Sequence, residues 1–359
     1  MYRSTLISHT LKNVLSHVGF IRTTANTSRN FACKDNIFVK QLVQLRLTEK
    51  YRRYGNNRSQ ETKRSYLLAM FLPTLVHKYF FDDEEDDEIS KIVVVLKRSI
   101  LLIQQEKFDK AEQMLHIALH QAQTVQHYDA ITYIYDVLAN VAFYTQEYHK
   151  AQNLFVIVMQ RLMSKGALEN DMRIIHISLK VAKVMEALGQ LDEAELGYKF
   201  CMEHLQSHIE TDPENMDALH AQMLTYEWYG QMLISKSQYT EAYNYILRAL
   251  NMVKKTDASH EDTIDILNNL GYICYIQEKY DEAIKYYSAA VEIGEKVPDI
   301  PHMDIIHVNI GNIFLKKGLY KEAKNSCQQG RKIADNIKNN DVMQEADECL
   351  KEVKRLLSL

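Results

Sequence analysis

Two histidines one helical turn apart, His116 and His120 in LHIALHQAQTVQH, are the closest this chain comes to a metal-binding pattern. With Glu112 and His127 near them in sequence, one helical face could present two imidazoles to a cation. The glutamate of an HExxH motif is missing, however, and such polar residues are ordinary on exposed helix faces. No metal or other cofactor is expected. Cys33, Cys201, Cys274, Cys327 and Cys349 are far apart, and none forms a CxxC pair. They read as reduced packing residues, not as a disulfide framework. No GxxxxGK[ST], no GxGxxG following a strand and no GxSxG occurs. Phosphate cradles and a nucleophile elbow therefore lack support. The many carboxylate pairs lie on exposed faces, and nothing assembles a nucleophile, a base and an oxyanion donor. Catalysis is not expected.

Binding is a different matter. Asn140, Asn268, Asn269, Asn309 and Asn312 carry amides that both donate and accept. A row of them could grip the backbone of an extended peptide whatever its side chains. Such a row needs a scaffold that repeats. Among 359 residues, 46% are apolar and 25% charged, with only 11 Gly and 4 Pro. That balance suits helices, because β-rich folds spend more residues on turns.

The chain resembles itself. A small residue, a large or aromatic residue nine positions later and an alanine three beyond that recur six times. The sets are Ser99, Phe108, Ala111; Ala139, Tyr148, Ala151; Ala182, Leu191, Ala194; Gly230, Tyr239, Ala242; Gly271, Tyr280, Ala283; and Gly311, Tyr320, Ala323. The gap from small residue to alanine is always twelve, whereas successive sets stand 40, 43, 48, 41 and 40 residues apart. A rigid helix pair joined by variable inter-repeat loops explains both facts. Gly271 and Ala283 are expected to form the close crossing, with Leu267, Leu270 and Cys274 around it. The longest insert contains SHIETDPENMDAL (207–219), in which Pro213 should end a helix.

The pattern resembles the tetratricopeptide repeat, whose usual period is 34. The resemblance implies an all-α solenoid of about six helix pairs over 90–335, with a capping helix in 336–359. In such an array the first helices line a concave binding face, and the five asparagines lie in first helices near the small position. LNNLG (267–271) resembles the asparagine pairs of peptide-gripping families such as kinesin light chains. A Lys/Asn clamp is not matched, because Asp136 stands one turn before Asn140 where lysine would be wanted. Trp228 and Tyr226 read as core and interhelix packing, not as a ligand cage.

The net charge of −4 conceals an asymmetry. Residues 1–64 hold 13 Lys+Arg against 3 Asp+Glu, and the remainder holds 30 against 44. Residues 1–34 contain no acid, nine Ser/Thr, and Leu11, Val14, Leu15, Val18 and Ile21 on one helical face. This is the signature of a mitochondrial targeting segment. Residues 35–89 form a basic linker, a short apolar segment (65–81) and an acidic run (82–88). The apolar segment is too short for a confident membrane span. It either contacts a membrane or covers the first repeat.

AITYIYDVLANVAF (130–143), ISLKVAKVMEALGQLDEAELGYKFCMEHL (177–205) and TEAYNYILRAL (240–250) resemble the mitochondrial tetratricopeptide family that maintains respiratory complex III. The likeness spans about 90–335. It implies a non-catalytic protein of the mitochondrial inner membrane that associates with complex III subunits and helps clear fragments of the Rieske iron–sulfur subunit. No nucleic-acid partner is implied. The rival expectation is a cytosolic cargo or signalling adaptor of kinesin-light-chain type.

Overall fold

The computed structural model describes residues 87–256, 258–297, 300 and 302–358. The targeting segment, Cys33, the apolar segment 65–81 and most of the acidic run lie outside the described residues. Within them the 3.6-residue periodicity becomes thirteen helices and no strand. They are α1 (Asp87–Gln104), α2 (Phe108–Thr124), α3 (Tyr128–Tyr144), α4 (Tyr148–Ser164), α5 (Met172–Ala187), α6 (Leu191–Thr211) and α7 (Met216–Ser235). Then come α8 (Tyr239–Val253), α9 (His260–Ile276), α10 (Tyr280–Gly294), α11 (Met303–Lys316), α12 (Tyr320–Ile337) and α13 (Asn340–Leu357). The first twelve form six antiparallel pairs, and α13 closes the C-terminal end.

Each pair turns in the same way, and the recurring large residue marks where. Phe108, Tyr148, Leu191, Tyr239, Tyr280 and Tyr320 are the first residues of the six second helices. Two positions before each lies a left-handed residue: Glu106, Gln146, Gly189, Ser237, Glu278 and Gly318, with φ between 58° and 77°. The next N–H reaches back to the first helix, as from Lys279 to the Cys274 carbonyl at 2.9 Å. This is the double backbone bond that seals helix C-termini. A side chain with a Cβ resists this conformation, so glycine is the economical choice and only two of the six turns have it. Glu278→Gly is expected to raise unfolding stability by about 1 kcal/mol, readable as a higher urea midpoint. Four first helices, α3, α5, α7 and α9, start differently, on side-chain caps from His127, Asp171, Asn215 and the capping box of Ser259 with Asp262.

The close crossing involves a further residue beside the expected alanine. A Cβ on Gly271 would meet the Tyr287 ring first, at 2.7 Å. At all three glycines the residue that fills the gap lies sixteen later, Ile246, Tyr287 and Cys327, and the residues at that position in the other repeats, Leu115, Phe155 and Tyr198, are fully buried as well. The alanine one turn earlier brings the second helix's backbone close, as Ala323 O does at Gly311. Inter-repeat length is also not absorbed by loops alone. The 48-residue spacing comes mainly from a longer α6 (21 residues) and α7 (20 residues), with Asn215 capping α7 after the break at Pro213.

The cysteine expectation needs a correction as well. Cys201 and Cys274 are buried free thiols, but Cys327 on α12 and Cys349 on α13 are bonded to each other. Their 22-residue separation hides a contact made only when α13 folds back over α12. Val342, Ala346, Cys349 and Val353 form the buried face of α13, as its periodicity implies.

Pairs stack first helix on preceding second helix. Ile134 and Val141 of α3 join one cluster with Leu115, Ala118 and Ala122 of α2. In addition α5 touches α7, α7 touches α9 and α9 touches α11, whereas successive second helices make no comparable contact. The first helices therefore form the inner layer of a curved stack.

Candidate functional site

That inner layer carries the polar interior. Every buried polar or charged side chain among the described residues belongs to a first helix or its cap. Helices flanked on both sides enclose even the groups that face the hollow, so these groups must find partners within the layer.

Two clusters do so. Lys180 of α5, only 4% exposed, lies 3.1 Å from Asp136 Oδ1 on α3 and above the Phe155 ring. Asn140 Nδ2 donates to the Asp136 carbonyl at 2.7 Å. One turn along α5, Lys183 Nζ donates to both oxygens of Glu186 and to Gln231 Oε1 on α7. Gln231 Nε2 in turn donates to Glu227 Oε1. Tyr198 O–H donates to Glu186 at 2.6 Å. Burial, with Glu186 beside it, pushes the Tyr198 phenol well above its ordinary range and keeps it a donor. On the outer side Glu195 bridges Lys199 and Lys236, and these two ammonium groups hold its carboxyl down to about 2.

The five asparagines divide. Asn140 is buried and its amide is held inside its own helix, at the far end of the stack from the others. Asn268 and Asn269 lie on α9, Asn309 and Asn312 on the adjacent α11, and all four are half-buried. Asn269 and Asn309 occupy the same position, two residues before the small residue of their helix. They thus form adjacent rungs on neighbouring inner helices. The Asn268 Oδ1 is enclosed with no hydrogen-bond partner. Sequence reasoning passed over Lys180, Lys183, Glu186, Glu227 and Gln231. The available signal was two lysines three residues apart in the otherwise apolar ISLKVAKVMEAL, where a solvated face would hold more polar neighbours.

The histidines do not converge. His116 Nε2 lies 3.4 Å from Glu112 Oε1, but the same oxygen takes the Lys150 ammonium at 2.6 Å, which depresses the Glu112 carboxyl. His120 is exposed, and the His127 ring accepts the Ala130 N–H to cap α3. Trp228 is buried, with Lys183 above its ring, and Tyr226 packs on Tyr245.

A tetratricopeptide-repeat family model matches residues 219–296. "Tetratricopeptide repeat protein 19 homolog, mitochondrial" of Drosophila melanogaster is 35% identical over 257 residues, covering 71% of this chain and 70% of that protein. "Tetratricopeptide repeat protein 19, mitochondrial" of Homo sapiens is 28% identical over 264 residues, 70% of this chain and 69% of that protein. Two solved structures share the fold. The tetratricopeptide-repeat sensor of a signal transduction ATPase from Pyrococcus horikoshii superposes with a TM-score of 0.56 at 16% identity, over 82% of this chain and 43% of that one. A Rap protein complexed with Competence and Sporulation Factor gives 0.54 at 12% identity, over 84% and 89%.

Proposed function

The chain belongs to the tetratricopeptide repeat protein 19 family, and from that premise we propose a non-catalytic mitochondrial protein-interaction scaffold that serves respiratory complex III. It associates with the complex at the inner membrane, binds extended segments of its Rieske iron–sulfur subunit and so helps clear their fragments. The mitochondrial names of the relatives and the acid-free, arginine-bearing residues 1–34 support the compartment. No described helix is long and apolar enough to cross a membrane.

One observation carries the binding reading: the half-buried Asn269 on α9 and Asn309 on α11 repeat at one register position on adjacent inner helices. Rungs spaced in this way suit a polypeptide backbone, which offers donors and acceptors at regular intervals. Binding of the chain to peptides from the Rieske N-terminus is the direct test. Asn309→Ala/Asn312→Ala is expected to weaken it by on the order of tenfold, the cost of one or two lost amide hydrogen bonds. Unchanged affinity rejects the groove. Co-migration with complex III on native gels tests the association itself, and an import assay separates this reading from a cytosolic adaptor.

A further inference from the structure

Each first helix after α1 meets the preceding repeat through three positions: five residues before the small residue, one before it and two after it. In α3 these are Ile134, Leu138 and Val141, which cluster with Leu115, Ala118 and Ala122 of α2. In α11 they are Ile306, Ile310 and Ile313, which cluster with Tyr287 and Ala290 of α10. The central member is Leu138, Val181, Tyr229, Leu270 or Ile310 in the five later repeats, and it is buried every time. In α1 the same three positions hold Val94, Arg98 and Leu101. The outer two keep the apolar character of the register, yet they are 48% and 52% exposed and stay out of the cluster that holds Ile92, Leu96 and Ile103. The centre alone changes, to an exposed arginine.

This combination narrows what the face can accept. An end made only for solubility would be polar at all three positions. An end made to extend the stack would be apolar at the centre, because an arginine shut against a bare apolar helix loses its water and gains no counter-charge. A second copy related by a two-fold axis would set Arg98 against Arg98. A helix with a carboxylate between two apolar residues fits instead. Val94 and Leu101 stand two turns apart, about 10 Å along the axis, which is the spacing of anchors between packed helices. Between them the guanidinium offers the paired donors that a carboxylate accepts. Lys91, one step further along the same line, is already paired with Glu88 at 2.8 Å, so Arg98 marks the electrostatic centre. We propose that Val94, Arg98 and Leu101 of α1 dock an amphipathic helix of a partner protein that sets a carboxylate against Arg98 between two apolar side chains. The partner is a subunit of complex III, and this assignment rests on the association proposed above.

The test expresses the full chain in cells that lack their own copy and reads the fraction co-migrating with complex III on native gels. Arg98→Glu should lower that fraction by on the order of tenfold, because it turns an attractive pair into a repulsive one. Arg98→Leu should also lower it, although it makes the face more apolar, and Arg98→Lys should keep most of it. Helicity and thermal midpoint should stay native in all three, since Arg98 is exposed. A native chain that fails to co-migrate overturns the reading on which the proposal rests. A native chain that co-migrates, with Arg98→Glu and Arg98→Leu doing so equally well, overturns the proposal alone. Arg98-dependent binding to cardiolipin–phosphatidylcholine vesicles, in place of complex III, assigns the face to a membrane and overturns it. An Arg98-dependent doubling of mass in light scattering assigns the face to a second copy and likewise overturns it.

Discussion

Lys180→Met is expected to lower the unfolding free energy by about 3–5 kcal/mol, the usual cost of removing one partner of a buried ion pair. The lysine is 4% exposed and its ammonium is 3.1 and 3.4 Å from the two Asp136 oxygens, so the variant strands a carboxylate among apolar side chains. The pair bridges α3 and α5, the inner helices of neighbouring repeats. Asp136→Leu in the Lys180→Met background should recover most of the loss, because two matched apolar groups avoid desolvating any charge. Urea unfolding of the two single variants and the double variant measures this. Additive losses would mean that the two groups act independently, and the ion-pair account would fail.

Cys349→Ser, or reduction of the native chain, should cost about 3 kcal/mol, since the bond closes a 22-residue loop between α12 and α13. The loss has a structural side as well. In the last repeat a cysteine occupies the position filled by Leu, Phe, Tyr or Ile in the other five. That small side chain meets the Gly311 gap, and Cys349 from α13 supplies the remaining volume. The terminal pair therefore depends on its cap more than an internal pair depends on its neighbour. Equal denaturation midpoints with and without reductant would refute this.

Much of the fold was legible because the repeating unit is local. The small residue, the helix-opening aromatic and the alanine all lie within thirteen residues, so one helix pair writes its signature without reference to the rest of the chain. The sixteenth-position partners were harder to see: Leu115, Phe155, Tyr198, Ile246, Tyr287 and Cys327 share burial but neither volume nor chemistry. The Lys180–Asp136 pair joins residues 44 apart, and Cys327 meets Cys349 only through the return of α13. Contacts of that kind are set by how elements stack, which periodicity does not report. For the asparagines, sequence indicated the helices correctly but gave no sign that Asn140 would spend its amide on its own helix.

The inner helices already press on one another, while their outer counterparts stand apart. Contacts of this kind resist tightening more than unrolling. Tightening it would drive α5, α7, α9 and α11 into each other at once, whereas unrolling it merely parts surfaces on the inside. Anything lodged along the inner rim should leave the particle longer than the empty form, never shorter, and small-angle scattering would register this as an increase in its radius of gyration.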